Sequence, residues 1–512
     1  MKFTSGSNNL APTKAKMTRR LPTFVSNNWL LLGLAILCAG LYLANIGGWL
    51  MHDDEGTDFY EIWRLAEGEQ PGIDFLAEQQ PLYLLSGSFL LTHSRNPVPI
   101  LRGFAAVQVL AASFVLALVV NRIWGQESAI LSLGLLLGCG MLYEQARLFR
   151  PDPMMFAWEV GGLAAVLTAV HHKKRWLWSV AGACIGLATL WKLFGIFPVV
   201  GLVFFFSYWL IKEKETWREI IICGLHFSLP FLLVAAGGSA LLYGRLGFYY
   251  GEAFTYHLEA NQNSGLLNQW LIVGGGYLLF LVSNAIFIFI LPLRFLNRRL
   301  QREHGWATAV LLTQLLSPIL FLAITRPIHL RYYLFLLPAL AILLAVELQH
   351  MLKKMETDAP QAKRFARLLL ALVIATGWFI TQPQIANLLR RQEGDTLSLA
   401  RLVAERTAPD DVVVSDYAGI NFFAKRPSIY EATIIAGAQI ASGSVTGTLL
   451  IERIEETDAQ MVLVHVAGGE PTPHQLVNLV DYPQFRAYLE SRFQLTTIFE
   501  RAGQQIEVFE RK

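Results

Sequence analysis

The chain has 512 residues, of which 54% are hydrophobic and only 16% charged, and its formal net charge is +3. Soluble domains carry about a quarter charged residues, so one aqueous core is excluded and a multi-span membrane protein is expected. With no basic cluster interleaved with aromatics in an aqueous segment, nucleic acid is not an expected partner.

Residues 1–28 are polar and basic, with Lys14, Lys16, Arg19 and Arg20. The apolar run from Trp29 to Met51 is too long for a signal-peptide core and no small-residue cleavage site follows it, so it reads as an uncleaved first span. It ends in His52-Asp53-Asp54-Glu55-Gly56. Carboxylates are costly against lipid, and three at the mouth of a span point to a site facing a cavity between helices. In the loop from 51 to 98, Phe59, Ile62, Trp63 and Ala66 recur at helical spacing, and Pro81 to Thr92 is a second apolar run. Both are expected as helices lying along the membrane interface and flanking the acids.

Eleven stretches in all are apolar enough to cross: 29–50, 99–121, 127–145, 153–170, 176–191, 194–211, 219–243, 270–292, 306–324, 333–351 and 366–384. Their connections fix sidedness, because cytoplasmic loops are enriched in Lys and Arg. One set carries 21 basic residues, including Lys173, Lys174, Arg175, Arg298, Arg299, Lys353 and Lys354, and the other about 8. The N-terminus is therefore expected in the cytoplasm, with the acid cluster and the C-terminus outside. The few outward cations cluster on the acid-bearing side and suggest a site that handles an anion. Glu159 falls inside the fourth span on the helix face of Asp152; it reads as a functional acid or as the partner of a neighbouring polar group. His226 and Gln314 read as interhelical hydrogen bonders. The four cysteines, Cys38, Cys139, Cys184 and Cys223, lie in apolar runs and imply no disulfide.

From about Gln392 the apolar density falls. Thr396 to Thr407 and Pro483 to Phe493 read as helices, Val412–Val414 and Met461–Val464 as buried strands, and Leu495–Phe499 with Gln505–Phe509 as a hairpin. A small α/β domain outside the membrane is expected at 391–512, after a membrane domain at 29–390. It has no G-x-G-x-x-G and no P-loop, so no nucleotide is assigned.

Four outward features share one side: the Asp53-Asp54-Glu55 acids, Arg147 to Asp152, Trp191-Lys192, and Arg326 to Tyr333. Carboxylates can take a proton or hold a divalent cation, while Lys and Arg can hold a phosphate. A sugar on a polyprenyl phosphate needs both, since its leaving group is a membrane-anchored phosphate and its acceptor must lose a proton.

The stretches Asp54-Glu55-Gly56, Tyr60, Arg64-Leu65-Ala66-Glu67-Gly68, Pro71, Asp74-Phe75 and Gln80-Pro81-Leu82-Tyr83 resemble the first external loop of the protein mannosyltransferase-like glycosyltransferases. That group is glycosyltransferase family 39 with its bacterial aminoarabinose-transferase relatives. Arg102-Gly103-Phe104, Arg147 to Asp152, Leu190-Trp191-Lys192 and Arg331-Tyr332-Tyr333-Leu334 with Pro338 extend the resemblance over residues 29 to about 390. Gln79 and Gln80 depart from the family's Lys-Pro. The 244–269 loop is too short for the β-trefoil of the eukaryotic branch, which favours a bacterial or archaeal type.

The resemblance implies an all-α GT-C fold of about eleven transmembrane helices in the cell membrane, and transfer of a sugar from a polyprenyl-phosphate donor. It implies Asp54 as the leading residue for acceptor activation or metal contact, with Asp53 and Glu55 in support and Asp152 as second acid. Lys192, Arg326 and Arg331 are implied on the phosphate side. His257, Glu259 and Glu159 are weaker acceptor- or metal-side residues, and a divalent cation (Mg, Mn or Zn) is the implied cofactor. The rival reading is a transporter or flippase of lipid-linked substrates, for which Gly274-Gly275-Gly276 is the only helix break on offer.

Overall fold

The computed structural model describes residues 20–48, 53–212, 216–246, 266–283, 305–322, 330–358, 361, 395–467, 475–501 and 504–512. Among these, five helices are long and apolar enough to cross a membrane: Pro97–Trp124, Pro151–His172, Leu193–Lys212, Trp217–Gly244 and Arg331–Lys353. Asn28–Leu43, Trp176–Trp191 and Gly305–Ser317 are apolar but shorter. The eleven expected spans are not reached among the described residues, and the stretch 366–384 lies outside them.

Two expected spans are irregular. The stretch 127–145 is a bent pair, Gln126–Leu137 and Gly140–Ala146, whose axes meet at 66°. Cys139 is extended there (φ −73°, ψ 117°), which interrupts the helical ladder. The first helix, Arg20–Leu43, starts before residue 29 and kinks at Asn28. The Asn28 oxygen accepts a hydrogen bond from Asn121 Nδ2 at 2.7 Å, an interhelical partner that stabilises the kink. By contrast, Gly274–Gly276 lies inside the continuous helix Leu266–Ser283, so the break expected of a transporter is missing there.

Arg147, one of the outward arginines, and Arg102 tie the scaffold together. Arg147 donates to the carbonyls of Leu41, Tyr42 and Ala44 at 3.0, 3.1 and 2.8 Å. It thereby satisfies the last carbonyls of the first helix and complements its dipole. Arg102 reaches the Ile46 carbonyl at 3.1 Å and pairs with Glu55. Gln314 does bridge helices, donating to the Pro198 carbonyl at 3.4 Å. Among the described residues His226 shows only a contact within its own helix, with Nδ1 3.0 Å from the Ile222 carbonyl.

The loop after the first helix forms Asp53–Ala66 and Pro81–Thr92. The acids do not stand between two helices as expected; they form the first turn of Asp53–Ala66, where the positive end of the helix dipole favours them. Pro81 begins the second helix at a position where its missing N–H costs nothing.

Residues 395–512 build a four-stranded sheet in the order β1-β2-β4-β3, with β1 Val413–Ser415, β2 Met461–Ala467, β3 Phe493–Arg501 and β4 Gln504–Arg511. β1 and β2 are parallel, with Val413 opposite Met461, and β4 is antiparallel to both β2 and β3. Helices Asp395–Arg406 and Tyr482–Arg492 stand within a residue or two of the expected positions. Strand alternation divides the sheet between two cores. Met461 and Leu463 join Phe59, Tyr60, Ile62 and Trp63 of the loop helix in one cluster. Val462 and Val464 face a second cluster with Leu450, Ile454, Phe485 and Leu489. On this face the short helix Ala418–Ala424, which follows β1, packs on the helix that carries the acids.

Candidate active site

Four separate elements bring charged groups to one end of the helical bundle. Asp54 sits in the first turn of Asp53–Ala66. Arg150 is the extended residue (φ −137°, ψ 161°) before Pro151, and Asp152 lies in the first turn of the helix that Pro151 begins. Lys192 is extended at the end of Trp176–Trp191, where a cation complements the helix dipole. Arg331 lies in the 3-10 turn Leu330–Leu336 that leads into Leu337–Asp358.

One oxygen of Asp54 receives both arginines. Arg150 Nη2 is 2.5 Å and Arg331 Nη1 3.0 Å from Asp54 Oδ2. Lys192 Nζ donates to Asp152 Oδ1 at 2.8 Å and lies 5.0 Å from the Tyr332 ring centroid. The Arg331 guanidinium stands 5.6 Å from the same ring. Tyr332 thus walls the site between two cations. The Asp54 side chain is 41% exposed and that of Arg150 only 4%, so the acid lies on the open side and the guanidinium behind it. Burial opposes the charge of Arg150, but Asp54, Asp152 and Asp58 outweigh it and hold the guanidinium above its usual range.

Several donors are left over. Arg150 Nε and Nη1 and Arg331 Nε are buried with no hydrogen-bond partner among the described residues, as is Asp152 Oδ2. Buried polar groups without partners are expensive, and an anion could satisfy these donors, although carboxyl oxygens of Asp58 and Glu61 are left over beside them as well.

The other candidate residues separate. Glu55 is fully buried: Oε1 accepts from Arg102 Nε and from the Phe149 backbone N–H, both at 2.8 Å, and Oε2 from Arg102 Nη2 at 2.5 Å. Glu55 is thus a tie between three segments, set back from the open carboxylate of Asp54. Glu159 is buried away from Asp54, beside a cavity of about 20 Å³ also lined by Gln314, Ser317 and Phe335. The backbone of Asp53 opens the loop helix, but its side chain lies outside the described residues, as do Arg326, His257 and Glu259.

Two groups do not stand out in the sequence. Arg150 is there only one member of the stretch from Arg147 to Asp152. Asp58, one helical turn beyond Asp54, is buried with its Oδ2 3.9 Å from Arg150 Nε. Burial pushes its carboxyl well above the ordinary value; Arg150 pulls the other way, and Asp54 and Glu78 add to the rise. The i, i+4 spacing of Asp54 and Asp58 on a helix is the signal that could have found it.

No three His, Cys, Asp or Glu side chains among the described residues meet to hold a divalent cation. Asp54 and Asp152, the acids of the site, already face guanidinium and ammonium groups.

Residues 80–237 match the model of the dolichyl-phosphate-mannose-protein mannosyltransferase family. No curated protein matches by sequence. Among solved structures, ArnT from Cupriavidus metallidurans in the apo state is similar with a TM-score of 0.65 and 16% identity, covering 94% of this chain and 98% of that one. ArnT from the same organism bound to undecaprenyl phosphate gives a TM-score of 0.62 and 15% identity over the same shares. The oligosaccharyltransferase AglB from Archaeoglobus fulgidus, in complex with an inhibitory peptide and a dolichol-phosphate, gives 0.58 and 13% identity, covering 94% of this chain and 74% of that one. The chain has the GT-C fold that these membrane proteins share, and its residues 80–237 carry the pattern of the dolichyl-phosphate-mannose-protein mannosyltransferase family.

Proposed function

We propose that the chain is an integral membrane glycosyltransferase that moves a sugar from a polyprenyl-phosphate donor to an extracytoplasmic acceptor. The observation that carries this reading is the meeting of Arg150, Lys192 and Arg331 with Asp54 and Asp152 at one bundle end. Three cations less two carboxylates leave one positive charge, which suits a sugar phosphodiester with its single negative charge. Proteins of the same fold carry undecaprenyl phosphate or a dolichol-phosphate.

The residues divide the work. An acceptor oxygen or nitrogen bonds to the anomeric carbon as the bond from that carbon to the phosphate oxygen breaks. The acceptor's proton passes to Asp54, and the bonding pair leaves with the polyprenyl phosphate. Arg150, Arg331 and Lys192 are already aimed at the charge that develops, which is the most effective form of transition-state stabilisation. Asp152 holds Lys192 in place. Arg326 is assigned to the phosphate side, and His257 and Glu259 to the acceptor side, by sequence alone.

The bias of basic residues orients the chain with its N-terminus in the cytoplasm, the site and residues 391–512 outside, and 29–390 as the membrane domain. An impermeant thiol reagent should label Asn96→Cys on intact cells; protection of that cysteine would reverse the orientation. For the function, a polyprenyl phosphate should bind the purified protein, and mass spectrometry should find such a lipid co-purifying with it. A preparation that carries none and binds no added undecaprenyl phosphate would refute the reading.

A further inference from the structure

Asp54 stands where an anion belongs. Two guanidinium groups from different elements converge on its single oxygen Oδ2, in the way they would converge on a phosphate oxygen. A carboxylate neutralised by two arginines is a poor base, so the resting geometry opposes the chemistry assigned to it. The surrounding groups resolve that conflict. Arg150 is nine-tenths buried or more and fixed by its place before Pro151, with Asp58 behind it, whereas Asp54 is on the open side. An arriving ligand therefore displaces the acid and leaves the arginine. Arg150 Nε and Nη1 and Arg331 Nε hold donors that the carboxylate does not use. A phosphate, with more acceptor oxygens, can use them. Asp152 has its own hydrogen-bonded cation in Lys192, although it also feels the charge of both arginines.

We infer that Asp54 is the resting occupant of the donor-phosphate seat, and that the phosphate exchanges with it on Arg150 and Arg331. This rests on the proposed function and adds an order to it. Donor binding breaks the ion pairs of Asp54 with Arg150 and Arg331, and the carboxylate acts as the base only when a sugar is present to be transferred. When the sugar has gone, Asp54 returns to the arginines and helps the polyprenyl phosphate leave. Arg150 is then a phosphate ligand in its own right, with Asp54 as its counter-ion between turnovers.

The consequence has an unusual sign: removing a catalytic acid should tighten donor binding. Undecaprenyl phosphate binding is measured on the full chain in lipid nanodiscs for the native protein, Asp54→Asn, Asp54→Ser and Arg150→Ala. Melting temperatures on the same preparations identify any variant that has failed to fold. Asp54→Asn and Asp54→Ser should each bind about tenfold more tightly than the native protein, because no ion pair has to be broken first. Arg150→Ala should bind about tenfold or more weakly. If the native protein binds and Arg150→Ala weakens binding, but both Asp54 variants bind no more tightly, the phosphate site stands and the exchange is refuted. If no folded protein binds undecaprenyl phosphate, the exchange and the proposed function fall together.

Discussion

The Tyr60 hydroxyl accepts a hydrogen bond from the backbone N–H of Ser428 at 2.7 Å, joining the helix that carries Asp54 to the sheet domain 368 residues away in sequence. The contact is one of several along this helix. The Phe59 and Phe422 rings are 5.3 Å apart, and Lys425 lies 4.7 Å from the Trp63 ring. A Cβ at Gly56 would overlap the Tyr417 hydroxyl, so glycine allows the two bodies to approach this closely. Tyr60→Phe leaves the Ser428 N–H without its acceptor and should cost about 1–3 kcal/mol. Calorimetry should show a lowered melting temperature. An unchanged melting temperature would mean the contact contributes nothing to docking.

Glu55 and Arg102 form a buried pair one position from the more exposed Asp54. Both side chains are at most 1% exposed. Glu55→Gln strands a buried guanidinium and should destabilise the protein by about 3–5 kcal/mol. Asp54→Asn, at a partly open position, should leave the melting temperature nearly intact. Equal losses of stability in the two variants would contradict this division.

Asp58 and Glu61 give stability a pH dependence. Burial pushes both carboxyls well above their ordinary values of 3.8 and 4.5. The folded state therefore holds protons that the unfolded chain releases. The contribution is complete below the unfolded values and is lost as pH rises from about 4 through the raised folded values. Asp58→Asn and Glu61→Gln should flatten the melting temperature against pH above 4. A profile as steep in the double variant as in the native protein would remove these groups as its cause.

Much of this is legible in the sequence, and what is not has physical reasons. Sidedness places Asp54, Asp152, Lys192 and Arg331 on one face without any knowledge of the fold, because alternating spans return every second connection to the same end. The strands at Val413 and Met461 and the closing hairpin are legible because strand alternation and turn residues are local. Pairing is not local. Nothing in the spacing of Glu55 says that Arg102 neutralises it, so it reads like its neighbour Asp54. The break at Cys139 is hidden because hydropathy is continuous across it. Arg150 is inconspicuous because a basic residue beside a proline is common at helix ends, and only the fold shows its donors facing Asp54.

Arg331 should be tested as a phosphate ligand against its alternative as a membrane-interface anchor. Arg331→Ala should weaken undecaprenyl phosphate binding about 10- to 100-fold, the loss expected for a charge-assisted contact. Arg331→Lys should recover only part, since the ammonium keeps the charge and loses the planar fork. Lower thermal stability with unchanged affinity would make Arg331 an anchor only.

The central claim is that this bundle end transfers a sugar from a lipid phosphate. It is tested most directly by incubating the purified chain in nanodiscs with a panel of polyprenyl-phosphate sugars and native membrane extract as acceptor. Released polyprenyl phosphate and glycosylated product are followed by mass spectrometry. The account predicts that one donor yields both, and that Asp54→Asn slows the release by about 100-fold or more, the usual scale of general-base catalysis. Release at the native rate by Asp54→Asn, or no release from any donor by a protein that binds undecaprenyl phosphate, would contradict it.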